Sequence, residues 1–177
     1  MSLLNSTHSF DTLKQQLMSI SILNRGWMIR AGRGGKYFDE FKNNHYVAVG
    51  WNKLGPLNQL TDDEQRRQAY LANYGNDKPA KIGNALSMIK RFGHTIEKDD
   101  IIVTYSPKYR HYLVGRDKGV FEFIDRLDDG YRQTRRVNWI GTVERDWLTQ
   151  GARNQLSATL TLFALKADVV DEFLALL

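Results

Sequence analysis

One segment carries most of the information about the fold, and it begins Gly26-Trp27-Met28-Ile29-Arg30-Ala31-Gly32-Arg33-Gly34-Gly35. It continues from Lys36 to Asn44 and ends Tyr46-Val47-Ala48-Val49-Gly50-Trp51. The first apolar run predicts a strand that a glycine-rich turn stops. Aromatic residues at helical spacing follow, and the β-branched run before Gly50 predicts a second buried strand. The pattern is strand, glycine turn, helix and strand, with a tryptophan at the end that is placed to stack on a flat ligand.

The composition is that of an ordinary globular domain. The chain has 177 residues, of which 42% are hydrophobic and 25% charged, enough for one full core. It has no cysteine, which excludes disulfides and thiolate metal sites and suits a cytoplasmic protein. No apolar run is long enough to predict a membrane span, and no signal peptide is recognisable. The net charge of +5 favours a polyanionic partner only mildly.

Helical signals occur at three places before the main strands. Ser9 is predicted to cap an N-terminal helix, and Thr61 to cap a second one within a capping box. Pro79 suits the first turn of a third helix. Residues 152–165 fit a helix in their first part and a strand in their last part, and both alternatives stay open.

The second half of the chain is rich in short strands. These are predicted at residues 101–105, 112–115, 120–124 and 137–143, separated by glycine and aspartate turns. Together with the two early strands, they predict an α+β fold. We expect a small closed or nearly closed β-barrel, with helices inserted between the second and third strands.

Catalytic groups are hard to assemble from this sequence. The four histidines, His8, His45, His94 and His111, show no pair at metal-ligand spacing. The segment Glu40-Phe41-Lys42 matches the end of a nuclease signature, but the aspartate on a preceding strand is missing and the residues fall on a predicted helix. We therefore expect no catalytic residue, no metal and no cofactor; an enzyme of unrecognised type remains an alternative.

Cations and rings alternate in two predicted loops, at residues 108–112 and 131–136. Such interleaving supplies phosphate contacts and stacking faces together, although it also occurs in solvated loops. The glycine turn either serves only as a tight turn or also holds a phosphate loosely. The predicted contacts with a nucleic-acid backbone are Arg33, Lys36, Lys108, Arg110, Arg132, Arg135 and Arg136. The other tryptophans, Trp27, Trp139 and Trp147, are predicted to lie in the core.

These features resemble the PUA-like superfamily, which includes the EVE and YTH readers of modified bases. The likeness is closest to the version at the N-terminus of modification-dependent restriction enzymes of the McrB and Mrr types. It is carried by Trp27-Met-Ile-Arg-Ala-Gly-x-Gly-Gly, by Asp39-Glu40-Phe41 and by Val47-Ala48-Val49-Gly50-Trp51, and it extends to about Phe163. The fold that it implies is a PUA-like (EVE/YTH-like) barrel at residues 26–166. An N-terminal helical extension (1–25) would precede it. A C-terminal helix (167–177), whose apolar stripe is not followed by a capping residue, would begin a linker to an effector domain.

The resemblance also implies a base site. In the YTH branch one cage tryptophan follows the second strand, where Trp51 stands here. A second precedes the tryptophan of the late strand, and Tyr131 falls there by its spacing from Trp139. The polar residues that follow the first strand in that branch are replaced here by Ala31 and the glycine turn. The implied base-binding residues are Trp51, Tyr131, Asn52, Arg30, Ala31, Tyr105 and Ser106.

The expected function is that of a DNA-binding specificity domain. It would flip a modified base, in particular a methylated one, into an aromatic pocket. It would thereby target a restriction-type nuclease or motor domain in the same chain or a partner chain. Two alternatives from other classes are a module of the PUA or YTH type that binds modified RNA and a protein-interaction module.

Overall fold

The computed structural model describes Thr12 and residues 24–125, 127 and 130–177. The helix that Ser9 is predicted to cap lies outside the described residues, apart from Thr12. So does most of the predicted N-terminal extension.

A mixed sheet of six strands forms the centre of the described fold. The strands are β1 (Gly26–Ile29), β2 (Tyr46–Val49), β3 (Ile101–Ser106), β4 (His111–Phe123), β5 (Gln133–Glu144) and β6 (Leu162–Leu165). Their order across the sheet is β2-β5-β4-β3-β1-β6. β1 runs parallel to β3, and the other neighbouring pairs are antiparallel. Together with the helices described below, this sheet confirms the predicted α+β class.

The predicted closed or nearly closed barrel is wrong, because the sheet is open. β2 and β6 form its two edges, and no ladder joins them in the part of the chain that the structure describes. A barrel requires each strand to pair on both sides. The β2 edge is covered by packing instead of by another strand. All four residues of β2 are fully buried, and the ring of Phe41 lies 5.3 Å from that of Tyr46.

Five α-helices of the described residues pack on this sheet. They are α1 (Phe38–Asn44), α2 (Asp63–Tyr74), α3 (Pro79–Lys90), α4 (Gln150–Leu156) and α5 (Ala167–Ala175). The insertion of helices between β2 and β3 is confirmed, and α3 begins at the predicted proline. The cap of α2 is one residue later than predicted. The carboxylate of Asp62 accepts a hydrogen bond from the backbone N–H of Gln65 at 2.7 Å.

β4 is one long strand where the sequence predicts two. Gly119, with a φ of 72°, makes a bulge in the ladder instead of a turn. The ladder with β5 is irregular between Asp117 and Phe121, and the Asp117 carboxylate accepts a hydrogen bond from the N–H of Gly119 at 2.7 Å. The strand therefore continues through Gly119, which the sequence analysis takes as a turn between two strands.

Both alternatives for residues 152–165 occur, one after the other. α4 ends at Leu156, and β6 begins at Leu162. β6 then pairs with β1, and the carbonyl of Thr161 accepts a hydrogen bond from the N–H of Arg30 at 2.9 Å. The loop between α4 and β6 is thereby placed beside the end of β1.

Alternating side chains along the strands produce two cores, one on each face of the sheet. Ile101 and Val103 belong to one core, and Ile102, between them, belongs to the other. The core that contains Ile102, which we call the first core, also contains Ile89 from α3. The core that contains Ile101 and Val103, which we call the second core, also contains Phe173 from α5. α5 is thus packed into the described domain. The effector that the sequence analysis places beyond it stays a prediction.

The tryptophans predicted to be structural do not all lie in the core. Trp27 is buried, and its indole N–H donates to the Asp100 carboxylate at 2.8 Å. Trp139 packs against the first core, and its N–H donates to the carbonyl of Phe41 at 2.8 Å. Trp147 is 61% exposed, so its prediction is wrong. The next residue, Leu148, takes the buried position after β5 instead.

Candidate functional site

Trp51 follows β2 in a backbone conformation that bulky residues rarely adopt. Its φ is 61° and its ψ is 38°, which lies in the left-handed region. For a residue other than glycine this costs on the order of 1–3 kcal/mol. The turn is held by the buried side chain of Gln133. Its amide donates to the carbonyl of Gly55 at 2.7 Å and to that of Trp51 at 3.4 Å. The surrounding contacts thus maintain a strained backbone that sets the direction of the indole.

The half-buried Trp51 lines a pocket of about 480 Å³, which we call the Trp51 pocket. Helix α3 supplies most of the remaining lining, with Tyr70 from α2 and Leu160 from the α4–β6 loop. The α3 side chains Ala85 and Met88 are buried and apolar. Exposed polar groups, Lys78, Lys81 and Asn84, stand at the same pocket. A planar apolar ligand with polar or charged edges fits this lining.

The second predicted cage aromatic, Tyr131, lies beside this site but not in the Trp51 pocket. Its ring meets that of Tyr37 edge-on, with centroids 5.0 Å apart. The two loops are nevertheless tied together. The side-chain oxygen of Asn52 accepts a hydrogen bond from the N–H of Arg132 at 3.0 Å. Asn52 therefore anchors the Tyr131 loop, and its oxygen is already occupied.

A second, smaller pocket of about 310 Å³ lies at the turn after β1, and we call it the glycine pocket. It brings together four predicted residues, Arg30, Ala31, Arg33 and Tyr105. Arg33 is exposed and has no carboxylate partner among the described residues. Lys36, beside this pocket, lies over the ring of Tyr37, with its ammonium 4.5 Å from the centroid.

The ring of Tyr105 packs 4.6 Å from that of Tyr112, which lies behind the glycine pocket. Burial, and to a smaller extent the charge of Tyr105, raises the pKa of Tyr112 to about 12. Tyr112 is therefore a neutral, structural phenol at physiological pH. It gives the glycine pocket no anionic group.

Arg30 is held by the protein itself, and its predicted contact with a base stays a prediction. Its guanidinium donates to the carbonyls of Leu160 at 3.2 Å and Leu156 at 3.4 Å, and to that of Ala158. Leu156 ends α4, and Ala158 and Leu160 belong to the α4–β6 loop, which also supplies Thr159 to the glycine pocket. Arg30 thus fixes the segment that separates the two pockets.

Ser106 is likewise a structural residue in this fold, contrary to the prediction. It is 2% exposed, and its hydroxyl oxygen accepts a hydrogen bond from the N–H of Tyr109 at 3.2 Å. This bond closes the turn between β3 and β4. Ser106 does not line the glycine pocket.

Most of the predicted phosphate contacts are cations that already have acidic or aromatic neighbours. One terminal nitrogen of Arg110 donates to both carboxylate oxygens of Asp146, at 2.9 and 3.1 Å. Arg132 pairs with Asp125, and Arg136 with Glu122 at 2.8 Å. The ammonium of Lys108 lies 4.7 Å from the ring centroid of Tyr109. The pairs of Arg110 and Arg132 are exposed, so their partners can be exchanged for a phosphate at small cost.

Arg135 is different, and its predicted phosphate contact is corrected. It is 5% exposed, and it donates to both carboxylate oxygens of Asp117, at 2.7 and 3.0 Å. A third donor reaches the carbonyl of Phe92 at 3.1 Å. Asp117 is itself buried. This pair lies inside the fold and offers no face to a ligand.

The glycine turn allows a matched test with Gly34→Ala and Gly35→Ala. Both residues have positive φ, 67° and 72°, so each alanine costs about 1–2 kcal/mol for the left-handed backbone. An added Cβ meets nothing within 4 Å at Gly34, but at Gly35 it lies 2.7 Å from Cδ of Pro107. We expect urea unfolding to show Gly35→Ala as less stable than Gly34→Ala by at least about 1 kcal/mol. Equal losses would contradict the close contact of this turn with Pro107.

Among the described residues, no group of three or more histidine, cysteine, aspartate or glutamate side chains could hold a metal ion. Within the same residues, no helix has both the length and the apolar character needed to cross a membrane.

The sequence analysis missed the residues that α3 contributes to the Trp51 pocket. Lys81 and Asn84 are three positions apart and therefore share one side of α3, and Lys78, the residue directly before the helix, precedes Lys81 by the same spacing. That spacing was a usable signal, but it gives no indication that this side meets Trp51. The contact depends on how α3 packs against the turn after β2.

The family model described as a domain of unknown function, DUF8426, matches residues 27–166. A search of curated proteins found no match.

Proposed function

The chain belongs to the DUF8426 family of domains of unknown function, and we propose that it binds DNA and holds an extruded, modified base against Trp51. The observation that carries this proposal is the left-handed conformation of Trp51 at the Trp51 pocket, with φ 61°. An aromatic residue in a strained backbone conformation persists where the position of its ring matters more than the free-energy cost of the strain. Stacking on a flat ligand is the use that fits its place.

The energies are consistent with base flipping. Extruding a base costs a few kcal/mol, and stacking on an aromatic side chain returns about 1–3 kcal/mol. Contacts with phosphates would offset the remainder. A methyl group buried against Ala85 and Met88 would add on the order of 1 kcal/mol. That increment suffices for a modest preference, about fivefold, for a methylated base.

The wider setting is part of the same proposal. The order of strand, glycine turn, helix, strand and tryptophan resembles the EVE and YTH readers. The versions that it resembles most stand at the N-terminus of modification-dependent restriction enzymes. We propose that the chain is the specificity domain of such a cytoplasmic system. It has no catalytic activity of its own, and an effector nuclease or motor acts on the DNA that it marks.

The test is a binding panel with one duplex sequence that carries different modified bases at one position. Fluorescence anisotropy would give the dissociation constant of each duplex, of the unmodified duplex and of the matched RNA. We expect about fivefold or tighter binding to at least one modified duplex than to the unmodified one. Equal affinity for all duplexes would contradict modified-base reading, and a preference for RNA would move the proposal to that polymer.

The same mixtures test the absence of catalysis. After incubation with and without magnesium, denaturing gels would show strand cleavage, and mass spectrometry would show base removal. We expect bound but unchanged DNA. Turnover that a point substitution in this chain abolishes would contradict the proposal.

A further inference from the structure

Helix α3 and Lys78, the residue directly before it, give the Trp51 pocket a positive charge that a neutral base does not need. Lys78 and Lys81 both line the pocket and are exposed. Lys81 pairs with Asp77, which raises the pKa of the amine through the hydrogen bond first and the charge second. The ammonium of Lys78 has no carboxylate partner among the described residues. The two ammonium groups therefore exceed the one carboxylate beside them.

Asp77 is also held by the backbone of the next residue. Its carboxylate accepts a hydrogen bond from the N–H of Lys78 at 2.8 Å as well as the contact from Lys81. It is thus not free to turn toward the ammonium of Lys78. The positive charge of Lys78 remains available at a pocket whose inner lining, Ala85 and Met88, is apolar.

A ligand that satisfies both features has a planar apolar part and an anionic part. A neutral base would use Trp51 and the apolar lining but would leave Lys78 without a partner. The side-chain amide of Asn84, at the same pocket, offers one donor and one acceptor to the edge of a base. A nucleotide joins a base and a phosphate through one sugar, and so can use all of these groups.

We propose that the Trp51 pocket receives a whole nucleotide of the DNA strand, with Lys78 bound to a phosphate that flanks the base stacked on Trp51. This inference rests on the proposed function, because it assigns the backbone contact of the same extruded base. It differs from the sequence-based expectation, which places the phosphate contacts on the glycine turn and on the loops at 108–112 and 131–136.

The test combines a protein substitution with a matched change in the DNA. The duplex that binds best in the panel is made with the two phosphates beside the modified base replaced by neutral methylphosphonates. Wild type, Lys78→Gln and the control Lys118→Gln are compared on both duplexes. Lys118 is exposed on β4 and does not line the pocket. Lys81 is left intact because its removal would free Asp77.

We expect Lys78→Gln to weaken binding to the normal duplex by about two- to fivefold. The slope of affinity against salt should also fall by roughly one. On the methylphosphonate duplex, wild type should lose the same factor, and Lys78→Gln should lose nothing further. Lys118→Gln should behave as wild type on both duplexes.

If Lys78→Gln also weakens binding to the methylphosphonate duplex, so that the two factors of affinity loss multiply, the inference would be overturned. Lys78 would then not contact those phosphates. Unchanged affinity of Lys78→Gln would overturn it too. If Trp51 variants lose binding in either case, the proposed function stands while this inference falls. If the wild type binds acidic peptides but no nucleic acid, both fall.

Discussion

Replacing Trp51 with alanine is expected to weaken binding to the preferred modified duplex by about 1–3 kcal/mol, which is roughly 5- to 150-fold. The loss follows from the missing stacking surface at the Trp51 pocket. It should be larger for the modified than for the unmodified duplex, because only the former is held by its extruded base. Anisotropy titrations of both duplexes measure the difference.

Trp51→Gly, compared with Trp51→Ala, separates the effect of losing the indole ring from the effect of the strained backbone. Alanine keeps the cost of a left-handed residue, whereas glycine removes it, by about 1 kcal/mol. Both variants lose the same packing of the indole against the first core. We therefore expect equal losses of DNA affinity but higher folding stability for Trp51→Gly in urea. Full affinity in either folded variant would remove Trp51 from the site.

Arg135→Ala is expected to lower the free energy of unfolding by about 3–5 kcal/mol. The substitution leaves Asp117 buried without its partner, and the side chain of Asp117 is 0% exposed in the folded protein. A typical domain has only about 5–15 kcal/mol of stability, so this loss would bring the fold close to its limit. Urea denaturation followed by circular dichroism measures it directly.

Arg110→Ala is the matched control for the ion pair itself. Its pair with Asp146 is exposed, with the two side chains 58% and 63% accessible. We expect a loss of at most about 1 kcal/mol there. A double variant, Arg135→Met with Asp117→Leu, removes both buried charges and should recover most of the stability. A stable Arg135→Ala protein with weakened DNA binding would return Arg135 to the phosphate contacts.

The sequence predicts those parts of the fold that depend on local patterns. The short apolar runs at β1, β2 and β3 and the proline that begins α3 are recognisable because neighbouring residues decide them. The full length of β4 is not recognisable, because a glycine at positive φ such as Gly119 can form either a bulge or a turn, and here it forms a bulge. Whether the sheet closes depends on what covers β2, and α1 supplies part of that cover.

The sequence identifies one residue of the candidate site, Trp51, but not the other residues that line it. Trp51 is conspicuous because an aromatic residue after a strand and a glycine has an obvious use. Its neighbours at the Trp51 pocket come from α2, α3 and the α4–β6 loop, far along the chain. At Arg135 the sequence suggests a binding residue where the structure has a buried ion pair. In sequence it sits in a basic loop, and only the pairing of β4 with β5 places Asp117 against it.

β1 also bears on how the chain reaches this structure. It is hydrogen-bonded on one side to β3, with Gly26 opposite Ile101, and on the other to β6, with Gly26 opposite Leu165. Both partners leave the ribosome long after β1 does. During synthesis β1 must therefore wait with both edges unpaired, and its ladder is complete only when nearly the whole domain has emerged. Contacts of such high sequence separation slow folding. The ladder on the β3 side of β1 can form once residue 106 has emerged, whereas the ladder on the β6 side has to wait for residue 165.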